Sequence, residues 1–66
     1  MRLTEKAYAG GRRMGEYIVG RDGVDGALAR GSLAHVRYGR KALRDAYDTG
    51  YADAVAEAAQ DGGELR

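Results

Sequence analysis

The sequence predicts an all-α protein, a helical hairpin of two main helices at about residues 4–19 and 33–60 with a Gly-rich connection between them. Three observations predict it. Apolar and small residues recur at helical spacing through both segments. A Tyr-containing motif occurs twice, once in each segment, with small residues four apart. The chain has no Pro, and its 11 Gly are not gathered into a flexible linker.

At 66 residues the chain makes one small helical domain, residues 1–66, near the lower limit for a core held without a staple. It has no Cys, so disulfides and thiolate metal sites are excluded. Phe and Trp are also absent, and 5 Tyr with a few Leu, Val, Ile and Met supply the bulky burial. So thin a core favours self-association or ordering on a partner. No run reaches the length of a membrane span, and the first residues are not followed by a signal-like apolar region. A cytoplasmic protein with no membrane partner is expected. The preference for Ala, Gly, Arg and Asp suggests a GC-rich coding source, such as an actinobacterium or its phage.

The first helix is expected to start at Thr4 as N-cap, with Glu5 in the first turn complementing the helix dipole. Leu3, Ala7, Gly11, Met14, Gly15 and Ile18 then recur on one face, with Glu5, Lys6, Arg12, Arg13 and Glu16 largely opposite. Gly20 is a natural residue to end this helix. In the connection, residues 20–31, four glycines and two aspartates signal turns. Val24, Ala27 and Leu28 lie at i, i+3 and i+4, so a short helical turn is expected there, with Asp22 available as its cap. Ser32 is the best N-cap in the chain. From Leu33 the pattern Val36, Gly39, Leu43, Ala46/Tyr47, Gly50, Ala54 and Ala58 makes one long second helix, with Gly39 the place for a kink or break. Asp61-Gly62-Gly63 is expected to end it, leaving a frayed tail at about 62–66.

The repeated motif is Ala7-Tyr8-x-x-Gly11-x-x-x-Gly15, matched by Ala46-Tyr47-x-x-Gly50-x-x-x-Ala54, with Tyr51 following Gly50. Tyr47 follows Tyr8 by 39 residues. Small residues at this spacing let two backbones approach closely, as in the small-xxx-small interfaces of membrane helices. Ala7, Tyr8, Gly11, Gly15, Ala46, Tyr47, Gly50, Tyr51 and Ala54 are therefore assigned to a helix crossing, or to a homodimer seam of the same kind. Tyr8 and Tyr47 would flank the crossing with their rings buried and their hydroxyls reaching solvent or a partner.

These residues resemble the ribosome modulation factor group of small bacterial helical hairpins. Helix 1 of that group reads small-x-x-x-Gly-x-x-x-Gly, similar to Ala7, Gly11 and Gly15. Its helix 2 reads aromatic-x-x-Gly-aromatic-x-x-Ala, similar to Tyr47, Gly50, Tyr51 and Ala54. The chain departs from the group in having Tyr where the group has Trp, a longer connection without a Pro-Tyr pair, and less uniform basicity. The resemblance implies ribosome binding and translational silencing.

Charge is unevenly distributed. Residues 1–44 carry ten Lys/Arg against four Asp/Glu, and residues 45–66 one against six. Arg37, Arg40, Lys41 and Arg44, at i, i+3, i+4 and i+7, are expected to form one cationic stripe with Tyr38 at its edge. Such a stripe can track a phosphate backbone. Arg12 and Arg13 add to this candidate partner- or RNA-binding set. The bland alternative is a solvated face with Lys41–Asp45 and Arg44–Asp48 ion pairs. Asp45, Asp48, Asp53, Glu57 and Asp61 form an acidic run, read as a solubilising face or as one side of a dimer or basic-partner contact. His35 has no ligand set around it, Ser32 is a cap rather than a nucleophile, and the Gly20–Gly26 glycines lack the rest of a P-loop. No catalytic centre, metal or cofactor is expected.

The leading expectation is a small regulator docking on the ribosome or an RNA-containing complex, with Tyr38, Tyr47 and Tyr51 supplying contact area. The rival is a phage-type inhibitor that blocks a host protein machine. A structural homodimer is the third expectation.

Overall fold

Both copies of the Tyr motif lie in long helices that pack on one another. The computed structural model describes residues 2–64. In these, α1 spans Leu3–Arg30, α2 Ala34–Arg37 and α3 Lys41–Glu64. The helical run of α1 is interrupted at Gly23 (φ 81°, ψ 172°), so residues 24–30 form a separate short arm.

The crossing between α1 and α3 obeys the repeat. A Cβ at Gly11 would collide with the carbonyl oxygen of Tyr47, and one at Gly50 with the carbonyl oxygen of Tyr8. Tyr8 and Tyr47, like Gly11 and Gly50, are separated by the repeat length of 39 residues. A Cβ at Gly15 would lie 3.0 Å from the Cβ of Ala54, its counterpart in the second copy. The two copies are thus related by an approximate two-fold axis passing between the paired glycines.

This symmetry fixes the sense of packing. Gly11 meets Tyr47 and Tyr51, whereas Gly15, one turn further along α1, meets Tyr51 and Ala54. Contacts advance in the same direction along both helices, so α1 and α3 point the same way. The chain must therefore return along the pair before α3 begins, which a tight turn cannot do. Residues 24–40 make that return as the arm, α2 and the bend at 39–40.

The return covers one side of the pair. On that side Ile18, Tyr51 and Val55 form a buried cluster with Ala27 of the arm, and Met14, Val19 and Val24 pack around it. Further along, Ala7 and Tyr47 cluster with Ala34 of α2, joined by Met14, Tyr38, Leu43 and Ala46. The Tyr51 hydroxyl donates to the carbonyl of Ala27 at 2.6 Å, and the Gly31 N–H donates to the same oxygen at 3.0 Å. The end of the arm is thereby tied to α3.

Several local expectations are corrected. The helix begins before Thr4: Arg2 occupies the cap position in extended conformation, and the Lys6 N–H closes the first turn on the Arg2 carbonyl at 3.1 Å. Gly20 remains helical, and the break falls at Gly23, the one of these two that adopts positive φ. The short helical turn expected around Val24–Leu28 is the arm. Leu33, rather than Ser32, stands at the cap position of α2, although Ser32 Oγ accepts the Ala34 N–H at 3.2 Å. The second helical segment is divided into α2 and α3 around Gly39, the position expected to kink or break it. α3 continues through Gly62 and Gly63 to Glu64, because neither glycine leaves helical conformation. The rest of the expected frayed tail, residues 65–66, lies outside the described residues.

The glycines of the seam and those outside it should respond oppositely to alanine. Gly11→Ala or Gly50→Ala forces two backbones apart, with a destabilisation of about 1–3 kcal/mol expected. Gly20 has nothing within 4 Å of a built Cβ. Gly20→Ala should therefore stabilise by about 0.5–1 kcal/mol through helix propensity. Thermal melts followed by circular dichroism measure both.

Candidate functional site

The two-fold symmetry of the backbone is broken by the side chains beside the seam. On one side α1 offers Tyr8 and Arg12, and α3 offers Asp53 and Glu57. The Tyr8 hydroxyl donates to Asp53 Oδ2 at 2.7 Å. The Arg12 guanidinium donates to both Glu57 oxygens, at 2.7 and 2.8 Å. The positions related by the repeat on the other side are Tyr47 and Tyr51 on α3 and Met14 and Ile18 on α1. One flank of the seam is polar and the other apolar, and the return segment covers the apolar one.

The acidic run of α3 is consequently engaged within the chain. Besides Asp53 and Glu57, Asp48 Oδ1 accepts from Ser32 Oγ at 2.5 Å, and Asp45 pairs with Lys41 at 2.7 Å. The expected Lys41–Asp45 pair is present, whereas Asp48 is held by Ser32 rather than by Arg44. Arg12, grouped by sequence with the partner-binding cations, serves the helix crossing. The guanidinium of Arg12 pulls the Glu57 carboxyl below its usual range, chiefly through this hydrogen bond.

The expected cationic stripe does not lie on one helix. Arg37 belongs to α2, Arg40 to the bend, and Lys41 and Arg44 to α3. Arg40 and Lys41 are exposed, and Arg44 is half-buried beside a groove it shares with Arg30, His35, Asp45 and Asp48. Arg37 is exposed and lies over the ring of Tyr47, 5.4 Å from its centroid. Tyr38 meets the same ring edge-on, with centroids 5.6 Å apart. Tyr47 and Tyr51 are only 2% and 4% exposed, so the contact area expected of them is spent in the core. Ala7, Gly11, Gly15, Gly50 and Ala54 are buried at the crossing, and Tyr8 and Ala46 are half-buried beside it.

A different cationic surface emerges from the fold. Arg13 of α1, Arg30 at the end of the arm and Arg37 of α2 are all exposed, and none is ion-paired among the described residues. Two adjoining grooves run between them. One is lined by Met14, Arg30, Ser32, Leu33, Val36, Arg37 and Tyr47, the other by Gly10, Arg13, Met14, Tyr17, Arg37 and Tyr47. Arg37, Met14 and Tyr47 are common to both. Tyr17 (60% exposed) and Val36 (75% exposed) stand out from this surface. Leu33, beside them, is the one non-glycine with positive φ (57°) among the described residues, a conformation that costs a leucine roughly 1–2 kcal/mol. Such strain is often kept near sites of interaction.

Arg30 and Tyr17 were missed by sequence reasoning. Arg30 sits in a segment that reads as turn, and only the return of the chain brings it beside Arg37. Tyr17 had a usable signal: Gly10, Arg13, Met14 and Tyr17 fall at i, i+3, i+4 and i+7 on one face. No group of three metal-ligating side chains occurs among the described residues, and none of their helices is long and apolar enough to cross a membrane. Compared with models of protein families, with curated proteins and with solved structures, the chain matches none.

The Arg12–Glu57 pair makes stability pH-dependent. Because the folded carboxyl titrates below its unfolded value, its contribution is fully present above the unfolded value and is lost as pH falls through the folded one. Wild type should melt above Glu57→Gln at neutral pH. The gap should close as the pH is lowered through the carboxylate range, with melts at a series of acid pH values as the measurement.

Proposed function

We propose that this chain is a small, non-enzymatic regulatory protein of the cytoplasm that docks on the ribosome or another RNA-containing assembly. The single observation that carries the reading is the surface bounded by Arg13, Arg30 and Arg37, where three exposed guanidinium groups with no ion-pair partner among the described residues border adjoining grooves. Guanidinium groups suit phosphate oxygens, because their planar donors match that geometry. No acidic side chain lines either groove, so the near-zero net charge understates how cationic this face is. The small-x-x-x-Gly-x-x-x-Gly pattern of Ala7, Gly11 and Gly15 and the aromatic-x-x-Gly-aromatic-x-x-Ala pattern of Tyr47, Gly50, Tyr51 and Ala54, similar to those of the ribosome modulation factor group, support the ribosome as the first target. The protein is 14 Å across its thinnest dimension, which supports docking as a slab rather than enclosing a substrate.

A second reading rests on a separate observation. Leu28 (65% exposed), Leu33 and Val36 present aliphatic surface near Arg30, and such groups suit a protein partner. That reading is an inhibitor bound to a host protein machine.

Co-sedimentation with ribosomes over a salt series tests the first reading. Wild type should pellet with ribosomes at low salt and be released steeply as salt rises, as counterion release requires. The charge reversal Arg13→Glu/Arg30→Glu/Arg37→Glu should abolish pelleting, whereas Arg21→Glu, on a residue that lines neither groove, should not. Unchanged pelleting of the triple variant would sink the proposal. Recovery of a host protein complex that survives nuclease treatment would favour the second reading.

A further inference from the structure

Gly11, Gly15 and Gly50 are accounted for by the close crossing of α1 and α3. Gly10 is not. A Cβ at Gly10 would meet only two ring carbons of Tyr47, at 3.6 and 3.8 Å, which is ordinary contact. Packing would accept alanine there, and a glycine inside a helix weakens it. What the missing side chain leaves is space: an open groove of about 350 Å3 above Tyr47.

The walls of that space have a specific chemistry. Arg13 and Tyr17 follow Gly10 on the same stripe of α1. Arg37 enters from α2 with its guanidinium over the Tyr47 ring, supported from beneath by an aromatic that is itself locked in the core. Tyr17 carries its ring largely in solvent. No acidic side chain lines the groove. Two flat groups, one aromatic and one cationic, thus border a cleared floor, with a further cation at the rim.

We propose that this groove takes one unpaired base of single-stranded RNA, stacked against Tyr17 and the Arg37 guanidinium, with Arg13 and Arg30 contacting the phosphates on either side. The inference rests on the reading of the chain as an RNA-docking protein and adds which form of RNA it prefers. Bases that are splayed out of a helix stack on aromatic rings and on guanidinium planes, whereas an A-form duplex keeps their faces covered. Every base has such a face, so the preference is for single strands rather than for a sequence. An acidic peptide would satisfy the arginines but would leave the cleared floor and the exposed Tyr17 ring without a role.

Fluorescence anisotropy with the full chain tests this, using a labelled single-stranded RNA of about 12 nucleotides, the matching duplex, and a labelled polyglutamate peptide. The variants are Tyr17→Ala, Tyr17→Phe and Gly10→Gln. Glutamine is a good helix former and its Cβ has room, so Gly10→Gln keeps the fold, as a melt verifies, while its side chain fills the groove. Wild type should bind the single strand more tightly than the duplex. Tyr17→Ala and Gly10→Gln should each weaken single-strand binding roughly tenfold, the loss expected for one stacked base, leave duplex binding unchanged, and contrast with Tyr17→Phe, which should bind as wild type does. Equal binding of single strand and duplex, unaffected by Tyr17→Ala and Gly10→Gln, would overturn the proposal and leave RNA docking standing. Failure of every RNA to bind at low salt would overturn both. Tyr17-dependent binding of polyglutamate in place of RNA would assign the groove to an acidic protein segment and overturn it as well.

Discussion

The structure depends on two backbones meeting at Gly11 and Gly50. Neither position has room for a β-carbon, and each is blocked by the carbonyl of the tyrosine three residues before the other. Because the two contacts are equivalent, the helices that carry them run in the same sense. A chain with parallel neighbours has to travel back between them, and residues 24–40 do so. Their path covers the flank where Met14, Ile18, Tyr47 and Tyr51 lie, leaving the flank of Tyr8, Arg12, Asp53 and Glu57 to solvent. Core placement, the pairing of the acidic residues and the exposure of three arginines all descend from that one close approach.

Much of the architecture was legible in the sequence, and the reasons are local. Helical periodicity marks α1 and α3, the repeat of the Tyr motif marks the crossing, and Gly39 marks the place where the second segment divides. The rest depends on contacts between distant segments. Gly20 and Gly23 look alike as helix terminators, and only the packing of Val24 and Ala27 against the core favours the break at Gly23. Arg12 has the composition of a binding residue, but Glu57, distant in sequence, claims it. The stripe from Arg37 to Arg44 assumed continuous helix across Tyr38–Arg40, where the backbone turns. Tyr47 and Tyr51 read equally well as contact or as core, and the return segment decides for core by lying over them. Arg30 joins Arg37 only through that same return.

Fold and candidate site are therefore not separate parts of the molecule. Tyr47 supplies the carbonyl that meets Gly11, the ring that anchors the Ala7–Ala34 cluster, and the platform beneath Arg37. Met14 lies between the two core clusters and also lines both grooves. With a core made of a few tyrosines and alanines, the residues that hold the helices together also shape the surface that a partner meets. The division of labour is clearer for charge: Arg12 on the polar flank is paired, whereas Arg30 and Arg37 of the return segment have no ion-pair partner among the described residues.

The dimensions of the protein, 39 × 22 × 14 Å, give that division a further meaning. A slab little more than one helix thick has no interior layer from which solvent is remote. In larger domains depth separates positions kept for stability from positions kept for recognition. Here depth separates almost nothing, and the useful coordinate is which broad side of the slab a residue occupies. Comparisons among natural variants of this chain would then sort by side: one keeping matched pairs of opposite charge, the other keeping its flat, cationic relief.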